Sequence, residues 1–558
     1  MDKPKIVDVH GNPMDISTPL AQMVAYQNTG SGFADELASW NSRGYSSDAA
    51  ILPTLNVGNA RAADISRNHA YAKSGVQLHI DHIVGEQFKL VYNPNVAVLG
   101  LERDAFKEFI REVEARFTDF AEDPDCYMDA EEKRTFTMFC REAAGTHCKT
   151  GEITSKAEWN RSKRRATKYQ TMIKNIDYAR ISNPNDQMDT DLLRGGVKLN
   201  ANGAAQGYYV TKSNPNDHVS GNLYQAKRWV YQPKRLPWGR TQILHIFEPE
   251  GSDQTRGANA LLTGLAKMKM LEKYQSTTLQ NAIINAQYAA TIESEMPTNE
   301  IFAALGSENV SQSNMARLMQ FKAEWANQTN MMFAGAKVNH LLPNEKLTLN
   351  GINAPSASLT QFETNMLRYI AASLGVSYEE IARDFSKTNY SSARASLNVS
   401  HKFFMGKRAT LVARYASMIF ALWFEEALNK EIIKLPAGLT LRDFYENKNA
   451  LTRAKWIGSG RGQIDGLKEV KESIEKIKGG LSTYEKEIAN FGDDYVEVFE
   501  QQYREAEMLA EHGRKPLWMA DGGAIEEETD EEDAVTDDGE ESPKAGEINE
   551  NPEVHGNA

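Results

Sequence analysis

The clearest hydrophobic pattern in the chain is a run of large apolar residues at the spacing of one helix face. It predicts an amphipathic helix whose buried side carries Phe106, Phe109, Ile110, Val113, Phe117 and Phe120. Weaker patterns predict helices over about 59–84, with Gly85 as the stop, over 129–148, and over 391–428. Helices therefore account for most of the predicted structure.

A β-containing region interrupts the helices between positions 150 and 250. Short alternating segments at 207–210 and 242–247 are separated by turns rich in Asn, Pro and Gly, which is typical of strands joined by tight connections. The chain as a whole is predicted to have an α+β fold that is mostly helical, without an internal repeat.

The longest predicted helix spans 259–290, where there is no proline and a single glycine, Gly264. At 1.5 Å per residue it would be about 48 Å long. Polar residues lie on more than one of its sides. We therefore expect it to pack against copies of itself or to line an aqueous space.

Capping signals predict a second helix over 360–374, which starts with a capping box and stops at Gly375. Residues 377–380 begin a short helix in the same way, and a polar loop at 386–390 follows it. This loop is predicted to connect the short helix to the long helix that comes next.

The remaining segments are less regular. Between 293 and 355 the pattern predicts one helix, over about 313–328, among strand-like pieces such as 346–349. Two or three helices are predicted after 454. Residues 1–55 show little periodicity and predict an extended arm.

Composition limits the class of protein. The 558 residues predict about three or four domains, and 41% hydrophobic with 25% charged residues is typical of globular proteins. The longest apolar run, 418–424, is far shorter than the roughly 20 residues of a membrane-spanning helix. The N-terminus also lacks the apolar segment of a secretory signal. We therefore expect no membrane contact and a protein that stays in the cytoplasm where it is made.

The net charge of −13 is distributed unevenly. Residues 521–558 contain fifteen acidic residues and one basic residue, Lys544, so the rest of the chain is close to neutral. The segment is predicted to be a disordered acidic tail, because it has too little apolar surface to offset the entropy of ordering. An interaction tail and a solvating end without a partner are both compatible with it.

Catalytic motifs are weak. The nearest match to a phosphate-binding loop, 145–150, lacks the second glycine, which argues against an ATPase. The glycine-rich segment 458–462 does not fit the dinucleotide fingerprint and is not preceded by a predicted strand, so a loop opening a helix is favoured. There is no G-x-S-x-G elbow and no carboxylate pair with an evident partner. We expect no catalytic residue and no cofactor.

Metal ligands are also few. His79 and His82 form an i, i+3 pair without a further His or Cys cluster, so surface or interface histidines are favoured over a metal site. Cys126, Cys140 and Cys148 lack zinc-finger spacing and are too few for a disulfide framework. We expect them to be small buried hydrophobic residues.

One basic cluster places five cations within eight residues: Arg161, Lys163, Arg164, Arg165 and Lys168. Such a cluster can contact phosphates through a non-specific electrostatic attraction. A solvated β-hairpin surface is the alternative, and it is the commoner of the two.

Nine separate blocks, in collinear order over roughly residues 30–515, resemble the portal proteins of lambda-like tailed bacteriophages. They are HIDHIVG at 79–85, ISNPN at 181–185, HIFEP at 245–249, QTRGAN at 254–259, RYIAA at 368–372, LGVSYE at 374–379, YSSARAS at 390–396, WIGSGR at 456–461 and IDGLKEV at 464–470. The acidic tail and the basic cluster lie outside this shared pattern.

The resemblance implies a ring, usually of twelve subunits, at one capsid vertex. Double-stranded DNA would be packaged and ejected through it without sequence-specific contacts. The implied partners are the terminase large subunit, the head-completion or tail-connector protein, and the major capsid and scaffold proteins. The ring would be assembled in the cytoplasm of the bacterial host and retained in the virion.

The resemblance also implies a division into wing, stem, clip and crown. The corresponding segments are an arm (1–55), wing (56–255), first stem helix (256–292), clip (293–355), second stem helix (356–378), tunnel loop (379–392), wing return helix (393–453), crown (454–520) and acidic tail (521–558).

Within this division, the channel-facing residues would be those of the tunnel loop and one stem position: Lys387, Thr388, Asn389, Tyr390 and Arg368. An ordinary surface loop or a stem-packing residue is an equally good interpretation of each position. Two other classes remain as alternatives to the portal ring. They are a capsid-shell or scaffold protein and a DNA-packaging ATPase or nuclease.

Overall fold

The described residues belong to two units of the chain. The structure, a computed structural model, describes residues 44–161, 167–215, 228–287, 291–294, 320, 324, 331–333, 336–338, 345–348, 357–386, 389–436, 438–462, 465–516 and 518. Residues 1–493 form the first unit, and residues 494–558 form the second.

Helices make up most of the described residues, as predicted. They are α1 (Ser47–Asn68), α2 (Ala70–Ile83), α3 (Val96–Leu99), α4 (Lys107–Ala121), α5 (Phe136–Thr150), α6 (Leu265–Gln287), α7 (Ala357–Leu374), α8 (Tyr378–Ala382), α9 (Tyr390–Lys407), α10 (Ala413–Asn429), α11 (Leu441–Glu446), α12 (Lys448–Leu451), α13 (Gly466–Lys478), α14 (Tyr484–Phe491) and, in the second unit, α15 (Tyr495–Glu511). A π turn at Arg408–Val412 joins α9 to α10, so the predicted long helix is confirmed.

The strands are short and antiparallel. They are β1 (Lys89–Tyr92), β2 (Glu152–Trp159), β3 (Thr171–Asn175), β4 (Leu193–Arg194), β5 (Val197–Leu199), β6 (Ala205–Thr211), β7 (Trp229–Pro233), β8 (Ile243–Phe247), β9 (Thr291–Ser294), β10 (Met331–Phe333), β11 (Ala336–Val338), β12 (Glu345–Thr348) and β13 (Ala454–Ile457). One sheet has the order β3-β2-β8 and another β4-β5-β6-β7, while β1 pairs with β13, β9 with β12 and β10 with β11.

The main core of the first unit is aromatic. The apolar stripe of α4 faces it, and Phe117 lies 5.4 Å from the ring of Phe420 and 5.2 Å from that of Trp423 on α10. Burial of each such side chain contributes roughly 1.5–3 kcal/mol. The predicted α4 helix is therefore confirmed, with Ile110 half-buried and the other five stripe residues buried.

Strand β13, which the sequence did not predict, pairs with β1 from the other end of the first unit. Leu90 lies opposite Trp456, and the Tyr92 hydroxyl donates to the Leu451 carbonyl at 2.7 Å. Since β13 directly precedes the glycine-rich segment 458–462, the expectation that no strand precedes that segment is wrong.

Helix α1 begins inside the predicted arm, so the prediction of an extended arm up to residue 55 is wrong from Ser47 onward. The buried carboxylate of Asp48 accepts from the Thr255 backbone N–H at 2.7 Å and from its hydroxyl at 2.6 Å. Because hydrogen bonds of a charged side chain hold the start of α1, the sequence shows no apolar pattern there.

Helix α5 begins at Phe136, well after the predicted start near 129. The buried Asp129 carboxylate accepts from the backbone N–H groups of Glu131 and Lys133 and from Nε of Arg134, at 2.9, 3.1 and 2.9 Å. Because these bonds fold the segment into turns, a helix cannot start there.

Helices α6 and α7 also differ from the predicted bounds. Turns at 260–264 precede α6, and Asn259 is held by a 2.7 Å hydrogen bond from its Nδ2 to Oδ1 of Asn59. Helix α7 starts at Ala357, so Thr360 lies inside the helix and the predicted capping box is wrong. Ala and Leu upstream of Thr360 are strong helix formers, which favours the earlier start.

Several predictions fall on residues outside the description. They include most of the predicted 313–328 helix, residues 1–43 of the arm and the acidic tail. The strand-like piece at 346–349 corresponds to β12. Cys140 and Cys148 are buried as expected, whereas Cys126 is half-buried. Among the described helices, none has both the length and the apolar character needed to cross a membrane.

Candidate functional site

Helices α6 and α7 form a closely packed pair. Met268 and Leu271 on α6 and Ile370 on α7 are fully buried in the main core. At Gly264, just before α6, a Cβ atom would lie 2.7 Å from Oγ of Ser373, so a larger residue there would require the Ser373 side chain to move. The pair is thus anchored to the core at one end.

Further along, the contacts between the two helices become polar and aromatic. The rings of Tyr274 and Phe362 lie 5.0 Å apart, and Gln275 donates a hydrogen bond to Glu363. Leu279 and Ile283 are exposed, with 62% and 47% of their surface accessible. The α6 surface away from the core is therefore mixed, as the sequence predicted.

Gly375 ends α7 with a φ of +69°, and a Cβ there would lie 2.7 Å from the ring of Phe403. The predicted capping box of the next helix, α8, is confirmed, because Glu380 N–H donates to Ser377 Oγ at 3.2 Å and Ser377 N–H donates to the Glu380 carboxylate at 3.0 Å. The α7–α8 turn is therefore fixed by local geometry.

Two histidines of α2 contact the α7–α8 turn. His79, which is buried, donates from Nε2 to the Leu374 carbonyl at 2.8 Å. Burial lowers the pKa of His79 to about 4, so the ring is neutral. His82 stacks on Phe404 and places Nε2 3.3 Å from Oε1 of Glu380. Placing His79 on the helix surface or at an interface was therefore wrong.

Glu380 is a buried carboxylate with several donors. Ser400 Oγ donates to it at 2.6 Å, in addition to the contacts from Ser377 and His82. Burial opposes its ionisation, but the close contact of His82 and the hydrogen bonds from Ser400 and Ser377 outweigh burial and lower the pKa of Glu380 to about 2. The ionised carboxylate of Glu380 thus holds the short helix α8 in place.

The segment after α8 carries the predicted tunnel-loop residues. Asp384 accepts from the Tyr378 hydroxyl at 3.0 Å and from Ser386 Oγ at 2.6 Å. Asn389 caps α9 by accepting from Ser392 N–H at 2.8 Å. Both ends of the loop are therefore tied by side chains.

The predicted site residues have different surroundings. Arg368 is exposed, and its guanidinium lies 5.7 Å from the Tyr378 ring. Because the Tyr378 hydroxyl donates to Asp384, this ring links Arg368 to the start of the loop. Asn389 is exposed and Tyr390 starts α9. Lys387 and Thr388 lie outside the described residues.

The structure describes two of the five residues of the basic cluster, and both lie beside a β-hairpin. Trp159 of β2 lies opposite Thr171 of β3, and the exposed Arg161 and Lys168 lie between these strands. Lys163, Arg164 and Arg165 lie outside the described residues.

The sequence did not predict the role of Arg256. This fully buried residue donates from Nε to both carboxylate oxygens of Glu152, at 3.0 and 2.8 Å, and from Nη1 to the Gly195 and Ile181 carbonyls, at 2.6 and 3.1 Å. His245 Nε2 lies 3.0 Å from the same carboxylate. The sequence carried no local signal for this contact, because Glu152 lies 104 positions from Arg256.

The Arg256 cluster connects β2 and β8 with the four-stranded sheet, just before α6 begins. Burial opposes ionisation of Glu152, but Arg256 and His245 outweigh it and hold the pKa of that carboxyl well below its ordinary value. This cluster is a structural junction. Within the described residues, no group of three His, Cys, Asp or Glu side chains is placed to hold a metal ion.

Sequence similarity to known proteins covers most of the chain. The model of the phage portal protein, lambda family, matches residues 33–408. The portal protein of Escherichia phage N15 is 44% identical over 509 residues, which are 91% of this chain and 94% of that protein. Portal protein B of Escherichia phage lambda is 43% identical over 510 residues, with the same coverage. The chain therefore belongs to the lambda family of phage portal proteins.

Two solved structures are more distantly similar. A chain in the neck of an empty gene transfer agent particle, computed with C6 symmetry, matches at a TM-score of 0.42 and 12% identity, over 77% of this chain and 93% of that one. A chain in the virion of the native gene transfer agent matches at 0.38 and 14%, over 82% and 98%. The family assignment rests on the sequence relatives.

Proposed function

We propose that this portal-family chain forms a ring at one vertex of a phage capsid, through which double-stranded DNA is packaged and later ejected. The observation that carries the proposal is the 44% identity to a phage portal protein over 91% of the chain. Identity at this level over nearly the full length is expected to preserve the fold and the working surfaces together.

In this proposal, α6 and α7 are the two stem helices. The wing consists of residues 56–255 and 393–453, the clip of 293–355, the tunnel loop of 379–392 and the crown of 454–520. The packed α6–α7 pair supports the stem assignment, because one end of it is buried in the core and the other carries an exposed, mixed surface. Exposed Leu279 and Ile283 would be covered by the stem of a neighbouring copy.

The tunnel loop would present Lys387, Thr388, Asn389 and Tyr390 to the DNA, with Arg368 nearby. The anchored ends of the loop support this role, because Asn389 and Asp384 fix both sides of a short polar connection. A wall that lets DNA slide should contact phosphates without fixing one register, which a few polar residues can do.

The ring would act without chemistry of its own, docking the terminase large subunit during packaging and the head-completion or tail-connector protein afterwards. Major capsid and scaffold proteins would surround it in the virion. The incomplete phosphate-binding loop at 145–150 supports this division of labour, since it falls inside the buried helix α5.

Negative-stain electron microscopy of the purified full chain tests the main proposal. Rings with a central channel are the expected result. A population of monomers alone under assembly conditions would contradict it and favour a shell or scaffold protein. An ATP-hydrolysis assay on the same sample, expected to show no turnover, separates the ring from a packaging enzyme.

A further inference from the structure

We propose that a basic surface of the first unit binds the phosphate backbone of duplex DNA at a place separate from the tunnel loop. We call it the basic-aromatic patch and define it by six residues: Trp159, Lys234, Arg235, Trp238, Arg240 and Arg414. The inference relies on the proposed function only for the identity of the polyanion.

A tight turn between β7 and β8 presents the patch. Leu236 N–H donates to the Arg240 carbonyl at 2.8 Å, and Gly239 N–H donates back to the Leu236 carbonyl at 2.9 Å. Gly239 has a φ of +92°, which the turn requires and which favours glycine. The indole of Trp238 stands at the tip with 68% of its surface exposed.

Lys234 and Arg235 are consecutive residues at the base of this turn, where Arg235 pairs with Thr241. The pKa of Lys234 is lowered, first by partial burial and then by the positive charges of Arg235 and Arg414. Among the described residues, no carboxylate forms an ion pair with any of the three. Like charges held together in this way repel each other, and a bound polyanion relieves the repulsion.

The other side of the turn fixes a cation against an aromatic ring. The Arg240 guanidinium lies 5.6 Å from the Trp159 ring, and its Nη2 donates to Thr171 Oγ1 at 2.7 Å. The Lys430 ammonium lies 5.5 Å from the same ring. Both cations also have a buried carboxylate partner, since Arg240 Nη1 lies 3.9 Å from Glu425 Oε1 and Lys430 Nζ lies 2.5 Å from Glu426 Oε1. These contacts hold Trp159, which is 43% exposed, at the edge of the surface.

The patch continues into the base of the β2–β3 hairpin. Arg161 follows Trp159 by two positions and is exposed, and the exposed Lys168 accepts at its carbonyl from Lys430 Nζ at 3.1 Å. Arg161 and Lys168 therefore extend the positive surface beyond Trp159.

Duplex DNA fits this surface better than an acidic protein does. Several arginines and lysines on a convex turn suit phosphates spaced along a backbone, and exposed indoles can pack against the sugar and groove edges. Contacts to phosphates carry no information about the bases, so this binding is independent of base sequence.

The test measures the affinity of a fluorescent duplex of about 20 base pairs for the assembled full-length protein at several salt concentrations. The double variant R235Q/R414Q removes two cations of the patch. We expect a loss of affinity of about 10-fold or more near 0.1 M salt, and a slope of log K against log salt that is smaller by about 2, because each phosphate contact releases about 0.9 counterion. The variant W238A is expected to weaken binding with little change in slope.

The matched control is K107Q/K478Q, which removes the same charge from exposed positions on α4 and α13 and should change the affinity by less than about 2-fold. Equal losses in the two double variants would overturn the proposal. So would stronger competition by polyglutamate than by unlabelled DNA at equal charge, which would indicate an acidic protein partner. Loss of rings in R235Q/R414Q alone would show a contact between copies and would also overturn it. If the wild-type chain formed no rings yet bound DNA through the patch, only the proposed function would fail.

Discussion

Buried ions determine the geometry of the first unit at the scale of single residues. Arg256 and Glu152 are both about 1% exposed, and their side chains meet between the two sheets of the β region. The two residues are 104 positions apart, and neither lies in an apolar pattern. For this reason the sequence could identify the QTRGAN block as part of a resemblance but could not predict its partner.

We expect R256M to lower the free energy of unfolding by about 3–5 kcal/mol, because it leaves the Glu152 carboxylate buried without its cation. Urea unfolding followed by circular dichroism measures the change. R442M is the control, since the Arg442 side chain is 86% exposed and should contribute less than about 1 kcal/mol. The double variant E152Q/R256M should be more stable than R256M. If it is not, the loss does not come from the unpaired charge.

The carboxylate of Glu380 should make stability depend on pH. Its pKa is about 2 in the folded protein, against 4.5 for an ordinary glutamate, so it stabilises the fold fully above pH 4.5. That contribution is lost as the pH falls from 4.5 toward 2. The difference in unfolding free energy between wild type and E380Q, measured in urea, should therefore shrink over this range. A difference independent of pH would refute the assignment, and E446Q at an exposed site should show little difference throughout.

At the scale of elements, the sequence predicted those whose signal is local. The α4 stripe and the Ser377 capping box depend on residues within a few positions of each other, and both are confirmed. The start of α1 at Ser47 and the turn before α5 depend on hydrogen bonds of the buried residues Asp48 and Asp129. The hydrophobic periodicity of the sequence does not reveal such bonds. Of the candidate site, Arg368 and Asn389 can be located, while their contact with DNA stays a prediction.

The stop of α7 gives a test at this scale. G375A combines a φ of +69° with a Cβ 2.7 Å from the Phe403 ring, so we expect it to destabilise the protein by about 1–3 kcal/mol. G406A is the matched control. Gly406 lies inside α9, and a Cβ atom there would have no other atom within 4 Å, so alanine should stabilise by about 0.5–1 kcal/mol. Equal effects of the two substitutions in thermal unfolding would contradict the strain argument.

At the scale of the whole molecule, the charge of −13 is a property of the C-terminal end. The fifteen acidic residues after position 520 leave a nearly neutral remainder, so net charge says nothing about the lining of a channel. If the proposed patch binds DNA, local clusters of this kind decide where DNA binds.

Truncation after Gly513 should therefore leave ring assembly unchanged, because a segment dense in like charges buries little apolar surface. Electron microscopy and sedimentation of the truncated chain would measure this. A shift from rings to monomers would assign the segment a structural role. A variant that exchanges its acidic residues for Gln and Asn at full length would then distinguish charge from length.

The pairing of β1 with β13 delays part of the folding while the chain is being synthesised. Lys89 pairs with Ile457, so β1 leaves the ribosome long before its partner exists. At about 5–20 residues per second, the wait is roughly 20–70 s. During that time the edge of β1 and the aromatic face of α4 are without the strand and the helix α10 that cover them. A newly made chain thus exposes these surfaces to other copies of itself until residue 457 has been translated.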